Sequence, residues 1–213
     1  MRLPENQGLY KSDNEHDSCG IGFVANIKGE PSHDIIIRGL DVLRNMDHRG
    51  AVNADNSSGD GAGLLMQIPH EFIIDVLKIN VGDPGKYGTG LIFLPRDEKE
   101  SSLCLDVLSR HIEAEGLNMA GYRDVPVDST VPGEIARINE PAIKQVFVKA
   151  SLEKDVLERK LYLVRKVVEK EIRNSKLKNR DQFYILSLSA KVIVYKGMLT
   201  PDQLCDYYTD LKH

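Results

Sequence analysis

The sequence predicts an α+β fold in which helices and strands are stacked in layers. Three segments, 33–47, 97–115 and 151–174, carry apolar residues at helical spacing and predict amphipathic helices. Short apolar runs bounded by glycine or proline predict strands between and after these helices. Because strands and helices do not alternate strictly, their order favours layered sheets over a doubly wound parallel sheet.

The first half of the chain predicts several strands around one helix. Ser32 as N-cap and Asp34 in the first turn favour a helix over 33–47. Its buried face is expected to carry Ile36, Leu40, Leu43 and Met46. Apolar runs predict strands at 20–27, 61–68 and 87–95, and a short helix is predicted at 70–78.

The second half predicts the two longest helices and the remaining strands. The first of these helices, 97–115, is expected to bury Leu103, Val107, Leu108 and Ile112. The second, 151–174, is expected to bury Leu152, Val156, Leu161, Val164 and Val168. Strands are predicted at 117–125, 143–149, 182–189 and 191–197. Thr200 as cap and Pro201 at the first position predict a final helix over 200–208.

The composition is that of an average globular chain. Of 213 residues, 41% are hydrophobic and 28% are charged, which is enough apolar material for a sizeable core. The 28 Lys and Arg residues are balanced by 32 Asp and Glu residues, so the charge does not favour binding to nucleic acid or to an anionic membrane.

The cysteines and the N-terminus indicate a cytoplasmic protein. The polar first 20 residues contain no apolar core of a secretory signal. Cys19, Cys104 and Cys205 are odd in number and far apart, which is typical of a reducing compartment. Their spacing predicts neither a zinc site nor an iron–sulfur cluster.

A cysteine followed by Gly-x-Gly forms the first candidate site, in the segment Asp-Ser-Cys-Gly-Ile-Gly-Phe at 17–23. Glycines at the start of a strand leave the sulfur of Cys19 sparsely covered and let other backbone come close. The nucleophilic form is the thiolate, so a thiol with a pKa of about 8.5 needs a base or a positive neighbour. The alternative interpretation is a buried structural cysteine before a tight turn.

Two further segments carry candidate site residues. Asp-His-Arg-Gly-Ala at 47–51 follows the first helix, where Arg49 either supports a thiolate or complements the helix dipole. Gly-Asp-Gly-Ala-Gly at 59–63 enters a strand and indicates a turn with a bulge. It is not a dinucleotide fingerprint, because Gly-x-Gly-x-x-Gly is absent and a strand follows where a helix is required.

Taken together in this order, these segments resemble one family. The stretch 8–69 resembles the start of the large subunits of glutamate synthase, which begin with a class II glutamine amidotransferase domain. Two later segments agree with the resemblance, Tyr-Arg-Asp-Val-Pro at 122–126 and Tyr-Lys-Gly-Met-Leu-Thr at 195–200. The resemblance implies the N-terminal-nucleophile fold, a four-layer αββα sandwich.

The resemblance also implies the chemistry and the site residues. Cys19 matches the nucleophile that attacks the side-chain amide of L-glutamine and forms a thioester. That chemistry needs a free α-amine on the cysteine, so 1–18 is expected to be a leader that is removed, and 19–213 is expected to be the N-terminal part of a class II glutamine amidotransferase domain. Arg49 is carried over as support for the nucleophile end of the site, and Gly50 and Gly20 as neighbouring site positions.

The resemblance ends before two further family segments. The family's Arg-Phe-Ser-Thr-Asn segment carries the arginine that binds the glutamine carboxylate, and its Asn-Gly-Glu segment carries oxyanion-hole donors; neither occurs in this sequence. The fold is therefore expected to be incomplete at its C-terminus. FMN and an iron–sulfur cluster are expected only in other parts of the parent enzyme, whose remaining domains are expected partners.

Three hypotheses stay open at this point. The chain is a glutaminase domain or its leading piece, or a noncatalytic remnant that needs a second polypeptide to complete the site. A redox or metal protein using Cys19 with His16 and Asp17 is the third hypothesis, and adjacent residues of a polar leader rarely meet coordination geometry. A domain that lacks strands exposes sheet edges, so self-association is also expected.

Overall fold

Helices and strands alternate irregularly along the computed structural model, which describes residues 20–55 and 57–213, apart from the side chain of Arg49. The α-helices are α1 His33–Asn45, α2 Glu98–Ala114, α3 Glu134–Ile138, α4 Lys154–Arg173 and α5 Pro201–Tyr207. The strands are β1 Ala62–Gln67, β2 Tyr87–Leu94, β3 Asn118–Asp124, β4 Ala142–Lys149, β5 Tyr184–Ile185 and β6 Val192–Gly197. Short 3-10 turns lie at Asp47–Arg49, Arg180–Gln182 and Thr209–Lys212, and a π-helical turn lies at Phe72–Val76.

A four-stranded antiparallel sheet with the order β3-β4-β2-β5 forms the centre of the molecule. Its strands β2 and β4 are almost fully buried, because α2 and α4 cover one face and other elements cover the opposite face. Alternate residues of these strands point to the two faces. The core between sheet and helices includes Ile92, Leu94, Val146, Val148, Leu108, Ile112, Leu161, Val164 and Val168.

A second, two-stranded antiparallel sheet pairs β1 with β6. Leu64 lies opposite Tyr195 and Met66 opposite Ile193, and all four belong to a core that also includes side chains of α1, α5 and the four-stranded sheet. Because α1 and α5 contact β1 while β6 approaches β2, the order of contacts is helix, sheet, sheet, helix. The expected αββα arrangement is therefore confirmed.

One predicted strand is absent. Residues 20–26 form no regular structure, and Ile21 and Phe23 are 96% and 91% exposed. A strand needs a neighbour that accepts and donates its backbone hydrogen bonds, and none of the described residues pairs with this segment. The predicted strand at 20–27 is therefore wrong, and its apolar residues Ile21, Phe23 and Ile27 are exposed.

The buried stripes of the long helices differ slightly from the predicted ones. In α2 the buried residues include Cys104, Leu105, Leu108 and Ile112, whereas Leu103 is half exposed. In α4 the stripe contains Leu157 and Ile172 beside the predicted Leu161, Val164 and Val168, and Val156 is only partly buried. Both helices pack on the same sheet and on each other, so the angle between them decides which edge of each apolar face is covered.

The predicted strand 182–189 is regular only at β5. Beyond it the chain follows β2 irregularly, and Thr89 and Ser189 exchange two backbone hydrogen bonds of 2.9 and 3.0 Å. This approach requires Gly90, because a Cβ there would lie 1.6 Å from the carbonyl oxygen of Ser187. The carboxylate of Glu158 in α4 accepts hydrogen bonds from Ser189 Oγ and from the backbone N–H of Ala190, which holds the crossing into β6.

A chain of buried polar groups connects the two sheets. Arg123 of β3 donates to Gln145 Oε1 at 2.8 Å, and Gln145 donates to Thr89 Oγ1 at 3.0 Å. Arg123 also forms an ion pair with Asp210 of the last 3-10 turn, which accepts a further hydrogen bond from the hydroxyl of Tyr195 in β6. Burial, together with Asp210, raises the pKa of Tyr195, so that hydroxyl stays protonated and donates. The segment 122–126 thus contributes to the interior through Arg123.

No helix among the described residues combines the length and the apolar character that a membrane crossing requires.

Candidate active site

The residues that follow Cys19 lie beside the end of α1. At Gly22 a Cβ would lie 2.4 Å from Val42 Cγ1 and 3.7 Å from Met46 Cε. Met46 ends α1 and directly precedes the turn Asp47–Arg49. Gly22 therefore packs against the C-terminal part of α1, which leads directly into the second candidate segment.

The second and third candidate segments are joined by backbone hydrogen bonds. Gly50 donates to the carbonyl of Asp47 at 2.9 Å, and the backbone N–H of Asp60 donates to the carbonyl of Ala51 at 3.0 Å. A bridge between Val52 and Gly59 continues this pairing. The turn 47–51 and the glycine-rich entry to β1 thus form one exposed structure.

Two glycines of the third segment have structural reasons, close backbone approach for Gly63 and backbone conformation for Gly61. At Gly63 a Cβ would lie 2.7 Å from Lys196 Cβ and 3.1 Å from the carbonyl oxygen of Tyr195 in the paired strand β6. Gly61 has a φ of +146°, which side-chain-bearing residues rarely adopt. The segment therefore needs glycine for packing and for backbone conformation, and its glycines do not react.

The carboxylate of Asp55 organises the loop between these two segments. It accepts hydrogen bonds from the backbone N–H groups of Ser57, Ser58 and Ile135 at 3.1, 2.8 and 3.1 Å, and from the hydroxyl of Ser58. These donors, the Ser58 hydroxyl foremost, hold the pKa of Asp55 well below its usual range. Asp55 is not among the residues predicted from the sequence, and its only local signal is that it stands two and three residues before Ser57 and Ser58, a spacing typical of a turn.

The predicted site residues are described to different extents. Cys19, with the alternative partners His16 and Asp17, lies outside the described residues. The backbone of Arg49 lies in the 3-10 turn after α1. Gly50 and Gly20 are both exposed, Gly20 at the start of the described chain and Gly50 at the end of the turn.

The described residues contain no cluster of three or more His, Cys, Asp or Glu side chains arranged to hold a metal ion. Cys104 is fully buried in α2, and burial raises its pKa to about 11. Cys205 is partly buried in α5, and these two cysteines are not joined in a disulfide. Neither described cysteine is exposed, so the candidate site is the exposed turn 47–51, which follows the end of α1 near Gly22.

Comparison with known proteins gives a match over almost the whole chain. A family model described as "Glutamine amidotransferases class-II" matches residues 19–213, so the match begins at Cys19. The chain is 43% identical to the glutamate synthase [NADPH] large chain of Bacillus subtilis (strain 168), over 99% of this chain and 14% of that protein.

Two eukaryotic relatives show similar identity. The chain is 40% identical to the glutamate synthase [NADH] of Saccharomyces cerevisiae, over 98% of this chain and 10% of that protein. It is also 40% identical to the ferredoxin-dependent glutamate synthase of Pyropia yezoensis, over 100% of this chain and 14% of that protein. The chain thus spans a seventh or less of the length of these relatives.

Proposed function

Because the chain belongs to the class II glutamine amidotransferase family, in the form found in glutamate synthases, we propose that it hydrolyses the side-chain amide of glutamine to glutamate and ammonia. The observation that carries this proposal is the family match over residues 19–213, which begins at a cysteine followed by Gly-Ile-Gly. The pairing of 47–51 with 59–63, and the packing of Gly22 against the end of the helix that leads into 47–51, support it.

The reaction proceeds through a thioester on Cys19. The thiolate attacks the amide carbon of glutamine, the carbon–nitrogen bond breaks, and the amide nitrogen leaves as ammonia after it takes up a proton. Water then attacks the thioester carbonyl, which releases glutamate and returns the sulfur to its starting form. The step consumes one water and requires no oxidant or reductant.

The α-amine of Cys19 is the proposed general base and acid. An α-amine has a pKa of about 8 and exchanges a proton readily at neutral pH, whereas the nitrogen of a peptide bond does not. Cleavage between Ser18 and Cys19 would create that amine. Residues 1–18 are accordingly proposed to be a leader, and 19–213 is proposed to be the N-terminal part of a glutaminase domain.

The turn 49–51 is proposed to support the nucleophile. A guanidinium at Arg49 favours the thiolate over the neutral thiol, because an opposite charge nearby stabilises the charged form. Gly50 and Gly20 are exposed and lack side chains, and we propose that their peptide groups lie beside the bound glutamine. We also propose a cytoplasmic location, because Cys104 and Cys205 are free thiols, as is usual in a reducing compartment.

An assay with and without the leader tests this function. A chain that begins at Cys19 is expected to release ammonia and glutamate from glutamine in equal amounts, while a chain that retains 1–18 is expected to be roughly 10²–10⁴-fold slower. The products are measured by coupled assay, the N-terminus by intact mass, and asparagine serves as the substrate control. Absence of release from both chains would contradict glutaminase activity of this chain by itself and favour the alternative in which a second polypeptide completes the site, whereas equal rates would contradict the need for a free amine.

The rest of a glutamate synthase is the proposed partner, and it is the proposed user of the ammonia. In the part of the chain that is described, β1 pairs on one side only, and Leu65 on this strand is 63% exposed. The exposed Ile21 and Phe23 add further apolar surface. Open sheet edges and exposed apolar patches favour association with other polypeptide. The alternative function, a noncatalytic remnant that needs a second polypeptide to complete the site, is compatible with the same features.

The isolated chain is expected to associate with itself in the absence of such a partner. Light scattering after size exclusion should give an average mass that rises above 23.9 kDa with concentration. The double variant I21S/F23S should lower the mass at each concentration, because both side chains are on the surface. A constant monomeric mass over the whole range would contradict this prediction.

A further inference from the structure

The loop that connects 47–51 to β1 is anchored to a distant helix through one carboxylate. Both oxygens of Asp55 are engaged: Oδ1 accepts from the backbone N–H groups of Ser57 and Ser58, and Oδ2 accepts from the Ser58 hydroxyl and from the N–H of Ile135. The Ser58 oxygen in turn accepts from the N–H of Ala136 at 3.1 Å. Asp55 and Ser58 therefore bind the first free N–H groups of α3, whose own N-cap residue, Gly133, has no side chain to do so.

Close packing of backbone against backbone reinforces this anchor. A Cβ at Gly133 would lie 2.4 Å from both the nitrogen and the hydroxyl oxygen of the fully buried Ser58, so only glycine lets the helix start approach the loop. A Cβ at Gly59 would lie 2.2 Å from the carbonyl oxygen of Leu199. Gln203 of α5 donates to the carbonyl of Ser57 at 2.9 Å. The loop is thus held from α3 and from α5.

Hydrogen bonds connect the anchored loop directly to the candidate site. The backbone N–H of Asn53 donates to Ser58 at 2.8 Å, and its side chain donates to the carbonyl of the same residue at 3.2 Å. The Val52–Gly59 bridge and the bond from Asp60 to Ala51 continue the pairing as far as the residue after Gly50. Among the described residues, the hydrogen-bond partners of Asp55 are Ser57, Ser58 and Ile135, so Asp55 is connected to the backbone of the turn 49–51 through this ladder.

We propose that Asp55 is a positioning residue for the turn 49–51 of the glutaminase site; the catalytic part of this inference rests on the proposed function. All four of its partners are donors, and a carboxylate presents acceptors on both oxygens. An asparagine presents an NH₂ group at one of these positions and so faces a donor with a donor. Asp55→Asn is therefore nearly isosteric and still breaks one side of the anchor.

The test compares Asp55→Asn and Ser58→Ala with the matched control Asp97→Asn in the full chain. Asp97 caps α2 by accepting from the N–H groups of Lys99 and Glu100, and its helix packs on the far face of the four-stranded sheet. Amide hydrogen exchange of peptides that span 47–60 is measured by mass spectrometry. The kcat and KM for glutamine are measured on the chain that begins at Cys19.

Asp55→Asn and Ser58→Ala are expected to speed exchange at 47–60 by about tenfold or more, because the loop opens without global unfolding. They are expected to lower kcat by roughly tenfold to a hundredfold with KM changed much less, since a turn that supports the nucleophile acts on the chemical step. Asp97→Asn is expected to change exchange only near α2 and to leave kcat unaltered.

Wild-type exchange at 47–60 in both site variants would overturn the positioning role, as would an equal loss of kcat in Asp97→Asn, which would point to general stability. Exchange does not depend on turnover. A wild-type chain that releases no ammonia would count against the proposed function alone, and faster exchange in the variants would still support the anchor.

Discussion

Replacement of Cys19 by alanine is expected to lower ammonia release from glutamine by roughly 10⁴-fold or more, the scale on which loss of a catalytic nucleophile acts. Without the sulfur no thioester forms, and water alone attacks a primary amide very slowly. Cys19→Ser is expected to be almost as inactive, because a hydroxyl is a far weaker nucleophile than a thiolate at neutral pH. The measurement is the initial rate of ammonia release, with circular dichroism to show that the variant is folded.

The other two cysteines provide the matched controls. Cys104 is fully buried, and its pKa of about 11 keeps it a neutral thiol near pH 8. Cys205 lies in α5 and is partly buried against the core between α1, α5 and the two-stranded sheet. Cys205→Ala is therefore expected to retain the activity, and brief alkylation near pH 8 should modify Cys19 before Cys104. A Cys19→Ala variant that releases ammonia as fast as Cys205→Ala would contradict the assignment of the nucleophile.

Replacement of Asp210 by asparagine is expected to lower the free energy of unfolding by about 3 kcal/mol, the lower end of the range for a broken buried pair, because it leaves a largely buried guanidinium without its counter-charge. The side chain of Asp210 is 5% exposed and that of Arg123 is 16% exposed, so water compensates for little of the lost charge. The hydroxyl of Tyr195 also loses a charged acceptor. Urea unfolding followed by circular dichroism measures this free energy.

An exposed ion pair gives the control for Asp210. Asp34 and Arg38 pair at 2.7 Å on α1, and both side chains are about two-thirds exposed. Asp34→Asn is expected to change the free energy of unfolding by about 0.5 kcal/mol or less. The double variant R123M/D210L should be more stable than Asp210→Asn alone, because it leaves no buried charge. A loss at Asp210 as small as that at Asp34 would show that the connection between the sheets contributes little.

Local signals in the sequence predicted most of the secondary structure. At α5 the hydroxyl of Thr200 accepts from the N–H of Gln203, and the Gln203 side chain accepts from the N–H of Thr200, so the helix start is determined within four residues. The segment 20–27 shows the limit of such signals. Its apolar alternation is compatible with a strand, but a strand forms only with a hydrogen-bonded neighbour.

The sequence by itself determined the family and the candidate nucleophile, because both depend on residue types at short spacing: a cysteine before Gly-Ile-Gly, Arg49 before Gly50, and a glycine-rich strand entry. Only the tertiary structure showed how these segments meet and what holds them. Asp55 reaches Ile135 across 80 residues, and Ser57 reaches Gln203 across 146. Such contacts leave no periodic or local pattern, because they depend on how separate elements pack and not on the sequence beside each residue.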